Sequence, residues 1–190
     1  MKIVAIVQAR MGSTRLQNKV MKSINSRPLI ELQLVRLTNS KLLDQIIVAT
    51  SKDKKNLPLV NHVKGLGFSC EQGSENDVLD RYLQVANNNK VDVVVRITGD
   101  CPFVDPILVD KCIEKFLKSN VDYCSNVNPP TFPDGLDVEV IKLSALKKAS
   151  ENTTNKFDRE HVTPFIISSE KFSKSNVENN KDLSKLRWTV

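Results

Sequence analysis

The feature that most constrains this chain is a regular exchange between short, apolar runs and segments with helical spacing. "KIVAIV", "QIIVAT", "FSCEQ" and "VDVVVRIT" have the length of strands. The longer ones read as continuous apolar runs, the pattern of strands covered on both faces. Between them, "RPLIELQLVRLTNS" repeats apolar residues at Leu29, Leu32, Leu34, Val35 and Leu37, with Pro28 suited to a first helical turn. "LPLVNHVKGLG" reads as a helix that stops at a glycine. "SENDVLDRYLQVANNN" opens with Ser74 and Asp77, a start signal. "PILVDKCIEKFLKS" is a helix with Asp105 before it as N-cap. "VDYCSNV" is a further strand. Strand–helix alternation of this kind predicts an α/β three-layer sandwich with a mainly parallel central sheet. From residue 128 the rhythm changes to a proline-rich loop entering a strand, "NPPTFPDGLDVEVIK", then a helix or turn in "REHVTPFIISS", then strands at the end. The expectation is a single domain, with a core over residues 1–127 and a less regular part over 128–190.

In open sheets of this type, ligands sit beyond the carboxyl ends of the strands. Three polar clusters fall there: "QARMGSTR" after the first strand, "SENDVLDR" after the third and "TGDCP" after the fourth. The first lacks the glycine spacing of a dinucleotide fingerprint and of a P-loop. It still gathers Arg10, Arg15 and Lys19 around Gly12, Ser13 and Thr14, so backbone N–H groups and charged side chains can meet one anion. Three cations suit a polyphosphate better than one carboxylate. Asp100, at the end of the fourth strand, faces that loop. A carboxylate so placed makes sense with Mg²⁺ between it and phosphate oxygens. Asp137 and Glu139 lie two apart in a strand and so share a face, a pattern that fits sugar hydroxyls, a metal or mere exposure.

The net charge of +6 raises nucleic acid as a partner. No run of five or six basic residues supports it, and aromatics make up only 5%, too few for a base-stacking platform. Cys70, Cys101, Cys112 and Cys124 form no C-x-x-C pair and only two histidines are present, so buried reduced thiols are expected rather than zinc. No apolar run approaches the roughly 18 residues of a membrane span. These features predict a cytoplasmic protein with no nucleic-acid or membrane partner.

"VQARMGSTRLQNKV", "GSENDVLDRY", "VRITGDCPFVDP", "DGLDVEV" and "REHVTPF", in this order over nearly the whole chain, resemble the spore coat polysaccharide biosynthesis protein F family. These cytidylyltransferase-like proteins are similar to the synthetases of CMP-3-deoxy-manno-octulosonate and CMP-sialic acid. The resemblance implies a nucleotide-diphospho-sugar transferase fold of the glycosyltransferase-A type. It implies transfer of CMP from CTP, with Mg²⁺, to a sugar that is often acidic, with loss of pyrophosphate, in surface polysaccharide synthesis, and a homodimer. Ala9, Arg10, Gly12, Ser13, Thr14, Arg15 and Lys19 would hold the nucleotide triphosphate, and Arg81 the base and ribose. Arg15, Lys19 and Asp100 would carry the reaction, with Asp100 on the metal. Asp137, Glu139 and Arg159 would bind the sugar, with His161 in support. The sequence departs from "RLPGK" at Gln17 and Asn18. It also stops at Val190, before the aspartate such relatives carry, so a chain shortened at its C-terminus is expected. A glycosyltransferase of the same fold and a non-catalytic nucleotide-sugar-binding module remain as alternatives.

Overall fold

The computed structural model describes residues 1–12 and 16–190. In chain order, β1 (Ile3–Gln8) leads to a small hairpin of β2 (Ser23–Ile24) and β3 (Arg27–Pro28), then to α1 (Leu29–Leu37). There follow β4 (Gln45–Ser51), α2 (Leu57–Gly65), β5 (Ser69–Gly73), α3 (Val78–Asn88), β6 (Val93–Thr98) and α4 (Pro106–Ser119). The last third comprises β7 (Tyr123–Ser125), β8 (Glu139–Lys142), α5 (Leu143–Asn152), α6 (Lys156–His161), α7 (Pro164–Ser168) and β9 (Lys174–Asn176).

Seven strands form one sheet in the order β5-β4-β1-β6-β8-β7-β9. β5, β4, β1 and β6 run parallel, whereas β8 is antiparallel to both of its neighbours. The continuous apolar reading of β1 has a direct cause. Ile3, Ala5 and Val7 feed a core shared with α1, α2 and α4, while Val4 and Ile6 feed a second core under α3, α5 and α7. Each buried Val, Leu or Ile contributes on the order of 1.5–3 kcal/mol, and both faces of the sheet collect such side chains. This is the expected three-layer α/β arrangement.

The helix starts follow local chemistry. Ser74 Oγ accepts from the Asp77 N–H at 3.0 Å, and Asp77 caps α3 by accepting from the Asp80 N–H at 2.9 Å. Asp105 caps α4 through the Ile107 N–H at 2.9 Å. The later part is more helical than expected. "REHVTPFIISS" forms the end of one short helix and the whole of the next, separated where Val162 takes φ 75 two residues before Pro164. Of the strands expected at the end, β9 forms, and the last residues run as irregular chain that makes a β-bridge between Asp134 and Arg187 and further backbone hydrogen bonds to the body. β8, from the less regular part, lies between β6 and β7, so the boundary at residue 128 does not divide the sheet.

The strand order turns at β1, whose two neighbours β4 and β6 lie on opposite sides, and a crevice opens beyond the β1 and β6 ends. The two chains nearly touch there: the Gly99 N–H donates to the Gln8 carbonyl at 2.8 Å. A Cβ on Gly99 would lie 2.9 Å from both the Ala9 Cβ and the Gln8 oxygen. Gly99→Ala is therefore expected to destabilise the fold by about 1–3 kcal/mol through overpacking. Urea denaturation checks this, and an unchanged midpoint contradicts it.

Candidate active site

The chain leaving β1 is pinned at its edges. The Met11 N–H donates to Asn56 Oδ1 at 2.8 Å, and the Asn18 N–H to the Met11 carbonyl at 3.3 Å. Asn56 is fully buried, and its Nδ2 donates to Ser51 Oγ at 2.6 Å; that hydroxyl is bonded in turn to Glu75. Where the resembling sequences read proline–glycine, Asn18 stands at φ 56. Asparagine is among the few side chains that tolerate this left-handed region. Lys19 then opens a single 3₁₀ turn, which aims its ammonium back toward the sheet edge.

A cleft of about 460 Å³ lies over the ends of β1 and β6. Several of the charges in it are matched. Lys19 Nζ donates to Asp100 Oδ2 at 2.9 Å and to the Val190 carbonyl at 3.0 Å. Arg10 reaches Glu75 at 3.4 Å, and Arg187 reaches Asp134 at 3.3 Å. Arg96 is bonded to Glu139, whose other oxygen accepts from the Tyr123 hydroxyl at 2.7 Å. Arg81 is 2% exposed; its Nη1 donates to the Ser74 carbonyl at 2.6 Å and its Nε has no protein partner. Gly73 makes room for it, since a Cβ there would approach the Arg81 Cγ to 2.8 Å. The C-terminal residues cross one wall of the cleft. The Trp188 N–H donates to the Asp134 carbonyl at 2.7 Å, and Thr189 Oγ1 to the Asp100 carbonyl at 2.9 Å.

The environment separates the two central carboxyls. Burial pushes Asp100 upward, but the hydrogen bonds from Lys19 and Thr98 outweigh it and hold this carboxyl below its usual range. Burial, reinforced by the charge of Asp134, pushes Asp137 up to about 6. Burial lowers the Arg81 guanidinium from its ordinary value. Burial also raises Cys101, to about 12, which rules this thiol out as a nucleophile at neutral pH. The cleft therefore offers charge neutralisation and positioning rather than covalent catalysis.

Of the residues expected from the sequence, Ala9, Arg10, Gly12, Lys19, Arg81, Asp100 and Asp137 line this one cleft. Ser13, Thr14 and Arg15 lie outside the described residues. Glu139 and Arg159 take other places. Glu139 is 4% exposed and spends both oxygens on Arg96 and Tyr123. The strand begins at Glu139, so Asp137 lies in the approach to it rather than within it. Arg159 donates to Asp77 at 2.6 Å and to the carbonyls of Ser150 and Thr153, which ties α6 to the start of α3. Its neighbours Glu160 and His161 reach the cleft instead. Sequence reasoning passed over Arg96, although a charge inside "VVVRIT" was a visible signal. It also passed over Asn56, which nothing in its local sequence distinguishes, and Glu75, which lies within the "SENDVLDR" cluster but was given no role there.

The sequence profile of the family described as "Cytidylyltransferase" matches residues 4–186. The chain is similar to the spore coat polysaccharide biosynthesis protein SpsF of Bacillus subtilis, with 37% identity over 169 residues, which cover 86% of this chain and 69% of that protein. It is similar to a 3-deoxy-manno-octulosonate cytidylyltransferase of Trichlorobacter lovleyi, with 32% identity over 117 residues, 62% of this chain and 46% of that protein. Among solved structures, a cytidylyltransferase from Leptospira borgpetersenii superimposes with a TM-score of 0.96 at 34% identity, covering 100% of this chain and 81% of that one.

The raised Asp137 has a consequence for stability. The folded state holds this proton more tightly than the unfolded chain does. The resulting stabilisation is full below the unfolded pKa of 3.8 and is lost as pH rises through about 6. Asp137→Asn is therefore expected to gain stability relative to the parent between pH 4.5 and 7.5, by on the order of 1–2 kcal/mol after solvent screening. Thermal melts at the two pH values check it; an equal difference at both contradicts the assignment.

Proposed function

The chain belongs to the cytidylyltransferase family, and we propose that it transfers CMP from CTP to a hydroxyl of an acidic sugar, with release of pyrophosphate. The observation that supports this reading most is the convergence of Arg10, Lys19, Arg81 and Asp100 on one cleft at the strand-order turn of the sheet. The Bacillus subtilis relative, a spore coat polysaccharide biosynthesis protein by name, supports a place for the product in polysaccharide synthesis.

In this reading, the loop after β1 takes the β- and γ-phosphates. Arg10 and Lys19 supply charge-assisted hydrogen bonds, Arg15 is assigned there by the resemblance, and Gly12 leaves the backbone open to approach. Lys19 exchanges its bond to Asp100 for one to phosphate. Arg81, held rigid by burial, meets the nucleoside end. Asp137 accepts a hydrogen bond from an acceptor hydroxyl. That oxygen attacks the α-phosphorus in line as the bond to the β-phosphate oxygen breaks and pyrophosphate leaves, and its proton passes to the Asp137 carboxylate, a displacement that depends on positioning and electrostatics.

Mg²⁺ is the cofactor that the resemblance implies. Among the described residues, no three Asp, Glu, His or Cys side chains cluster as a metal cage. A metal that arrives on phosphates needs only one or two protein carboxylates, and Asp100, favoured in its ionised form, suits that part. When bound there, Mg²⁺ would supply charge neutralisation at the phosphates.

Pyrophosphate release measured with CTP, UTP, ATP and GTP against a panel of acidic sugars tests the reading. CTP is expected to be preferred, and absence of release with every pair overturns it. Lys19→Ala is expected to weaken CTP binding tenfold or more, about 1.4 kcal/mol, with an unchanged circular dichroism spectrum. Unchanged calorimetric affinity removes Lys19 from the phosphate site. Asp100→Asn is expected to reduce Mg²⁺-dependent pyrophosphate release by about 100-fold or more, as loss of a transition-state electrostatic contact does. Retained turnover contradicts its role.

A further inference from the structure

Arg96 stands in β6 among Val93, Val94, Val95 and Ile97, which are at most 2% exposed. Taking a guanidinium out of water costs several kcal/mol unless a partner compensates. Glu139, directly opposite on the antiparallel β8, is that partner. Tyr123 braces Glu139 from the next strand. A pair placed only to join two strands would be closed on every side, and this one is not. The Arg96 side chain keeps 13% exposure and lines the cleft, whereas Glu139 keeps 5%. Arg96 lies two residues before Thr98 on the same strand, and both side chains line the cleft. Its Nε has no protein hydrogen-bond partner. The network runs outward from Tyr123 through Glu139 to Arg96 and ends at the cleft.

The cations of the cleft divide by position. Arg10 and Lys19 belong to the loop after β1, and Arg81 to α3 beside β5. On the β6–β8 side the described cations are Arg96 and Arg187. The Arg187 side chain is 64% exposed and engaged with Asp134, so solvent screens it. Arg96 is shielded, and Glu139 fixes the plane of its guanidinium. A guanidinium held that way is a fork with donors left for a second oxyanion. Resting on the transfer reading above, we propose that Arg96 selects the acceptor: it binds the carboxylate of the acidic sugar, and Glu139 and Tyr123 are positioning residues that hold its plane.

The test compares 3-deoxy-manno-octulosonate and N-acetylneuraminate with their methyl esters, measured as pyrophosphate release with CTP and Mg²⁺. The acids are expected to exceed the esters at least tenfold in kcat/KM. Because a buried ion pair can be replaced by apolar residues of similar volume with little loss of stability, the double variant Arg96→Met with Glu139→Leu is expected to fold. It should bind CTP with unchanged calorimetric affinity and lose the preference for acid over ester. Arg96→Lys, which keeps the charge but not the fork, is expected to raise KM for the acid tenfold or more at similar CTP affinity. Esters equal to acids in the parent, or a preference that survives in the double variant, overturns the Arg96 assignment and leaves the transfer reading standing. CTP-dependent release with neither acids nor esters nor any other sugar overturns the transfer reading, and this inference with it.

Discussion

The rest of the structure depends on the contact between the carboxyl ends of β1 and β6. These strands pair in parallel along their whole length, and the pairing ends in the Gly99 to Gln8 hydrogen bond. The absence of a side chain on Gly99 lets the two backbones stay together until the loops diverge. From that point one loop carries Arg10 and Lys19 and the other Asp100. Lys19 and Asp100 lie 81 residues apart in sequence yet meet at 2.9 Å. The cleft exists because two strands are held close and their successors are not.

Charge matching is the second principle of the site. Lys19 with Asp100, Arg10 with Glu75, and Arg96 with Glu139 keep a dense group of ions from repelling one another. The three pairs differ in burial, and the physics differs with it. The Arg10 pair is partly solvated, so it is weak and readily exchanged for phosphate. The Arg96 pair is buried, where removing either partner strands an ion, so it persists as a fixed element. A binding cleft needs both kinds: pairs that open to admit the ligand and pairs that hold the walls.

Much of this was legible beforehand. The apolar runs foretold covered strands because β1 feeds two cores with alternate residues. The α3 and α4 starts were readable because capping is local chemistry, confined to a few residues. The clustering of Arg10, Lys19 and Asp100 was readable from their places just past the carboxyl ends of strands, and that of Arg81 from the family resemblance. Glu139 and Arg159 were not readable in the same way. Their types fit sugar binding equally well, but one faces Arg96 across a strand and the other braces α6 on α3. Spacing within a segment does not say which segment lies opposite.

The sequence by itself determined the parallel α/β core, the loop positions that carry charge, and the family to which the chain belongs. These rest on short-range periodicity and on motifs that survive as strings of residues. Only the tertiary structure decided that β8 enters antiparallel between β6 and β7, and that Asn56 and Glu75 brace the loop after β1. It alone separated Asp137, in the cleft with its carboxyl pushed upward, from Glu139, two residues away and bonded to Arg96 and Tyr123 in the interior. The physical reason is that burial and the nearest opposite charge set what a carboxylate can do, and both are supplied by residues distant in the chain.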